Sequence, residues 1–165
     1  GGRIIAFGGR IFSPRVSGEN EPAKYINSPQ TVLYDKSNVL YAFDKAKVPI
    51  RKENLCVVVE GYMDAVMAHQ AGTENVVAVS GTALTSRQLE HIRRLSDKLV
   101  TSFDMDEAGE SATRRSIDLA LEMSFDVKAI ALWDNKDPAD LVQEDPKEWV
   151  RSVGEEHRML SHPSR

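Results

Sequence analysis

The pattern of apolar and polar positions changes character near residue 55. From there on it is regular. "LCVVV" (55–59) is an unbroken apolar run rich in β-branched residues, the pattern of a strand buried on both faces. "MDAVMAHQAG" follows, with Met63, Val66, Met67 and Ala71 at helical spacing and Gly72 as a stop. "NVVAVS" (75–80) predicts a second strand. Thr85 stands three residues before Gln88, a capping-box spacing, and Leu84, Leu89, Ile92 and Leu95 give the next helix an apolar stripe. "KLVTSF" predicts a third strand. A long helix is predicted over 107–123, with Ala108, Ala112, Ile117, Ala120 and Leu121 on its apolar side. "VKAIAL" (127–132) predicts a fourth strand, and "DPADLVQEDPKEWVRSV" two helical pieces punctuated by proline. Strand and helix alternate four times, which predicts an α/β domain with a parallel sheet of about four strands flanked by helices.

Residues 1–54 read differently. "RIIAFGGRIFS" predicts two short strands around Gly8 and Gly9, in the manner of a hairpin. "SPRVSGENEPAKY" is a loop rich in proline and glycine, and one helix is expected near 36–45. The expected organisation is a small β-rich N-terminal segment over 1–54, an α/β domain over 55–153, and a tail over 154–165 that is disordered or opens a further helical region.

Composition narrows the class. The 165 residues are 41% hydrophobic and 28% charged, values of a globular chain. The longest apolar runs are too short to span a bilayer, and the first residues lack the pattern of a signal peptide. The single cysteine, Cys56, leaves no partner for an internal disulfide and no multi-cysteine zinc site; inside "LCVVV" it is expected to be a small buried hydrophobe. A cytoplasmic location fits this usage. The net charge of −4 is unevenly spread: residues 1–54 hold nine Lys/Arg against five Asp/Glu, and 55–165 hold twelve against twenty. A basic front and an acidic body suggest two surfaces with different partners.

The acids of the body are placed at strand ends. Glu60 is the first residue after the first predicted strand, Asp104 and Asp106 follow the third, and Asp137 comes soon after the fourth. Ligands of open parallel sheets bind beyond the carboxyl ends of the strands. If these strands are neighbours, four carboxylates from three loops meet at one rim, and Asp64, four residues after Glu60, can point to the same place. Two unit charges about 4 Å apart repel by roughly 4 kcal/mol at an effective dielectric of 20. A divalent cation converts that cost into attraction, and an all-oxygen donor set suits Mg²⁺. Acids at a helix start also serve as plain caps, which accounts for "DMDEAG" taken alone equally well.

"VVVEGYMDAV", "SFDMDEAG" and "KDPADLV", in this order, resemble the acidic motifs of the Toprim domain, specifically that of bacterial DNA primases. "FGGRIFS" and "PAKYINSPQT" resemble primase segments that precede the Toprim domain, which other Toprim proteins do not share. The resemblance covers nearly all of 2–150. It implies synthesis of short RNA primers on single-stranded DNA from ribonucleoside triphosphates, with Mg²⁺ or Mn²⁺ as the metal. Glu60 matches the family's glutamate, a catalytic acid/base or metal ligand, and Asp104 and Asp106 match its catalytic, metal-binding pair. Asp64 and Asp137 match further metal-site acids, and Arg10, Lys24, Tyr25 and Asn27 match residues that line the nucleotide and template region. A replicative helicase is the partner expected through a region outside this sequence, as is a zinc module. Two positions depart from the pattern. Ala139 stands where some primases carry a second aspartate, with an acid one further on at Asp140, and Met105 replaces a glycine between the paired acids. Two alternatives are another Toprim phosphotransferase or nuclease, and a metal- and nucleotide-binding fragment without turnover. His69 and His91 are expected to be packing or surface residues, and Ser80-Gly81-Thr82 either shapes the pocket or is simple turn chemistry.

Overall fold

The computed structural model describes residues 3–10, 25–81, 83–103, 107–130, 132 and 136–161, with the backbone alone for 107–112. Two compact units make up the chain, Gly1–Asp35 and Lys36–Arg165. In the first, β1 (Gly8–Arg10) pairs antiparallel with β2 (Tyr25–Asn27), with Arg10 opposite Tyr25 and Gly8 opposite Asn27. Gly8 and Gly9 therefore lie within a strand and not in a hairpin turn, because the partner comes from well beyond the loop. Ser28 closes the ladder: its amide donates to the Phe7 carbonyl at 2.9 Å and its hydroxyl accepts from the Phe7 amide at 2.9 Å.

The second unit is built on four parallel strands in the order β4-β3-β5-β6, where β3 is Cys56–Val59, β4 Val76–Ala78, β5 Lys98–Ser102 and β6 Asp126–Ala129. The predicted alternation is thus the observed one. The period of two sorts β3 between the faces. Cys56 and Val58 meet α1 (Phe43–Glu53), α3 (Ser86–Arg93) and α4 (Glu107–Glu122) through Ala46, Ile50, Leu89, Ile92 and Ala120. Leu55, Val57 and Val59 meet α2 (Tyr62–Gln70), α5 (Pro138–Glu144) and α6 (Pro146–Ser161) through Ala65, Ala68, Leu141, Val142 and Trp149. Right-handed crossovers dictate this division. The chain leaves β3 toward β4 with α2 on one face, then passes back over β3 to β5 with α3 on the other.

Three details differ from expectation. The first helix is Phe43–Glu53, later than 36–45, and it carries Pro49 in its interior, where the proline forgoes one helical hydrogen bond while Ala46 and Ile50 are held in the core. Segment 36–42 instead packs by backbone contacts, with Tyr41 and Ala78 exchanging hydrogen bonds at 2.9 and 3.2 Å in an isolated antiparallel bridge. In α2 the buried positions are Asp64, Ala65 and Ala68, while Met63 is 40% exposed. In α4, Leu121 is exposed and Ala120 buried. Among the described residues no helix is long and apolar enough to cross a membrane.

Candidate active site at the carboxyl rim of the sheet

The strand order creates a switch point. Helices α2 and α4, which follow β3 and β5, leave toward opposite faces, so a crevice opens between these two neighbouring strand ends. The register fixes what flanks it. Val59 lies opposite Ser102 on one side and Ala78 on the other, which sets Glu60 level with Phe103 and Val79. Glu60 is half-buried at this rim. Its carbonyl accepts the Ser80 amide at 2.8 Å, and Ser80 (φ 56°) and Gly81 (φ 86°) turn the chain away through left-handed backbone. The Ser80-Gly81 turn is therefore fastened to the Glu60 backbone; Thr82 lies outside the described residues. Asp104 and Asp106 also lie outside them, directly after Phe103 in sequence.

Asp64, 6% exposed, sits in the first turn of α2. Its Oδ2 accepts the Gly61 amide at 2.8 Å and its Oδ1 accepts the Ala139 amide at 3.3 Å. One carboxylate thus joins the starts of α2 and α5. Gly61 leaves room for it: a Cβ at that position would stand 3.0 Å from Asp64 Oδ2. The sequence reading missed Gly61 and the Ala139 amide; the available signal was a glycine directly after Glu60 and three residues before Asp64. Asp137 caps α5, accepting the Asp140 amide at 2.7 Å, with Pro138 preset for the first helical position. The Asp140 side chain is exposed. Lys136, next to Asp137, pairs with Glu144. The fold therefore gathers the loop after β3, the start of α2 and the start of α5, and it brings β5 and β6 alongside as the sequence reading required. Among the described residues no three His, Cys, Asp or Glu side chains form a group able to hold a metal ion.

In the first unit, Arg10 and Tyr25 meet across the β1–β2 ladder, the guanidinium carbon 5.9 Å from the ring centroid. Asn27 is paired with Gly8, and Lys24 lies outside the described residues. The two histidines pack as expected: His69 Nε2 is 2.9 Å from the Val76 carbonyl, and His91 Nε2 2.9 Å from Asn38 Oδ1. Cys56 is fully buried, and desolvation pushes its thiol up from the ordinary range.

A family model described as Toprim-like matches residues 57–142, the stretch that carries β3 to α5. The chain belongs to the Toprim-like family. A second model, described as the DNA primase catalytic core, N-terminal domain, matches residues 1–47. A DNA primase of Campylobacter jejuni is 45% identical over 153 residues, which cover 93% of this chain and 24% of that protein. A DNA primase of Clostridium acetobutylicum is 41% identical over 147 residues, 89% of this chain and 24% of that protein. Among solved structures, the Aquifex aeolicus primase (zinc-binding and RNA polymerase domains) superimposes with a TM-score of 0.82 at 34% identity, covering 93% of this chain and 37% of that one. A DnaG primase catalytic domain bound to single-stranded DNA gives a TM-score of 0.80 at 32% identity, covering 94% of this chain and 49% of that one. The chain thus spans 24% of the length of each of these two curated primases. Divalent-metal use goes with Toprim primases in general.

Proposed function

We propose that this chain is the Toprim-bearing part of a DNA primase core, acting in metal-dependent transfer of ribonucleotides to a growing RNA primer on single-stranded DNA during replication in the cytoplasm. The observation that carries the proposal is Glu60 at the β3–β5 switch point, on the rim where the starts of α2 and α5 are joined. The donor chemistry fits the metal: carboxylate oxygens with no competing thiolate at the rim, which suits Mg²⁺ or Mn²⁺. Glu60, Asp104, Asp106 and Asp137 are the residues to hold it. Bound there, the ion would neutralise phosphate charge and make the α-phosphate more electrophilic. The primer 3′-hydroxyl would attack the α-phosphate of the incoming ribonucleoside triphosphate, a new P–O bond forming as the bond to pyrophosphate breaks, with Glu60 as the acid/base that would take the hydroxyl proton. Arg10, Lys24, Tyr25 and Asn27 are the nucleotide- and template-binding residues of this reading, cationic and hydrogen-bonding side chains of the kind that contact phosphates and bases. The replicative helicase would bind outside this chain.

In the full-length protein, Glu60→Ala and Asp104→Ala are expected to lower primer synthesis by at least about 1,000-fold, the scale of losing several kcal/mol of charge stabilisation, with an unchanged melting temperature. Normal primer synthesis by either variant would remove the assignment. Strand nicking by the wild type in place of primer synthesis would move the chain to the Toprim nucleases.

A further inference from the structure

Asp64 was expected among the metal ligands. We infer that it is a positioning residue that sets the span between Glu60 and Asp137. This inference deepens the proposed function and rests on it for the chemistry, though not for the geometry. Each oxygen of the Asp64 carboxylate holds a backbone amide from a different loop: Oδ2 that of Gly61, beside Glu60, and Oδ1 that of Ala139, two residues after Asp137. The carboxylate is 6% exposed, so both bonds are made away from bulk water, where a charge-assisted hydrogen bond is strong and its loss costly. Neither neighbour supplies the link otherwise. The Asp137 side chain is occupied with its own helix, at the Asp140 amide, and Gly61 has no side chain. The two amides belong to first turns, where helix geometry leaves N–H groups without intrahelical acceptors. One anion between two helix starts therefore satisfies both and locks their separation.

Gly61 supports this reading independently. Its φ of −102° suits any residue, so backbone conformation does not demand glycine there. Space favours it: a Cβ would stand 3.0 Å from Asp64 Oδ2, so the carboxylate would have to give way by a few tenths of an ångström. The position behaves as clearance for the carboxylate. Gly61→Ala then disturbs the link while leaving every carboxylate in the chain, whereas Asp64→Asn keeps the shape and loses one of two acceptors along with the charge.

The test uses both variants in the full-length protein, with three readouts: kcat and KM for primer synthesis, Mn²⁺ binding followed by electron paramagnetic resonance, and amide hydrogen exchange over residues 136–141. Misplacing a reacting group by about 1 Å costs on the order of 100-fold, so kcat is expected to fall by about that factor in Asp64→Asn and by a smaller factor in Gly61→Ala, where the carboxylate has to move less. KM for nucleotide is expected to hold, Mn²⁺ affinity to change by less than the 10–100-fold typical of a lost metal-site partner, and exchange over 136–141 to quicken. The inference is overturned if Asp64→Asn loses Mn²⁺ binding while exchange over 136–141 stays at the wild-type rate, since Asp64 would then be a ligand. It is equally overturned if Gly61→Ala matches the wild type in kcat and exchange. If the wild type makes no primers at all, the proposed function fails, and exchange with Mn²⁺ binding still decides the role of Asp64.

Discussion

Helices α2 and α3 leave adjacent strand ends and begin with related local devices, yet the two starts serve different purposes. At α3 the box is complete and neutral. Thr85 Oγ1 accepts the Gln88 amide at 3.2 Å, Gln88 Oε1 accepts the Thr85 amide at 3.0 Å, and the Gln88 amide group donates to the Lys36 and Val39 carbonyls at 3.1 and 2.9 Å. Gln88 is fully buried, and its hydrogen bonds hold segment 36–39 against the helix. At α2 the cap residue is a glycine and half the box is missing. The remaining half is an anion, Asp64, beside the half-buried Glu60. A buried carboxylate is costly to desolvate unless its oxygens are satisfied, and here two backbone amides satisfy them. The same backbone problem, unsatisfied amides at a helix start, is thus solved with a neutral side chain at α3 and with a carboxylate at α2, where the candidate site lies.

The contrast can be broken most forcefully at Gln88. Gln88→Leu removes the acceptor of the Thr85 amide and the donor to two part-buried carbonyls, and should destabilise the protein by about 2 kcal/mol in denaturant unfolding with primer synthesis per folded molecule unchanged. Lost synthesis in a fully folded sample would show that the α3 start also serves the site. A second probe reaches neither box. Burial raises the Cys56 thiol in the folded state, so the unfolded chain loses this proton first as pH rises. Stability is fully present below the ordinary thiol range and declines above it, by up to about 1.4 kcal/mol per pH unit past roughly 8.5. Cys56→Ala should flatten that alkaline decline in thermal melts taken from pH 7 to 10. An equally steep decline in the variant would place its origin elsewhere. The smallest expected effect is at Thr85. Thr85→Ala removes the cap and the hydrogen bond to the Ser37 carbonyl, for a loss of about 1 kcal/mol without any change in kcat. A change in kcat there would erase the distinction between the two starts.

The fold was largely legible because burial on both faces writes itself into composition. β3 could be read from "LCVVV" alone, and the capping box at Thr85 from two residues. Reading failed where long-range partners decide. Gly8 and Gly9 look like a turn until Tyr25–Asn27 arrives to pair with them. The first helix, expected near 36–45, forms instead at Phe43–Glu53, where Ala46 and Ile50 are held in the core. In α2 the apolar spacing points to Met63, whereas the buried face turns out to carry Asp64, since a polar residue with two amide partners can occupy a core position. Of the candidate site, the rim position of Glu60 was legible, because it directly follows a buried parallel strand; Asp104 and Asp106 lie outside the described residues. The linkage within the site was not legible, because Asp64 and Ala139 are 75 residues apart and only the packing of α5 beside α2 brings them together.

The bridge between Tyr41 and Ala78 has a consequence for solution behaviour. β4 is an outer strand, and an open margin of a sheet is a template on which another polypeptide can zip. Tyr41 already occupies that margin at Ala78, using both backbone groups. A foreign strand would have to evict it first, so the short segment ahead of α1 acts as a built-in guard against self-association at this flank.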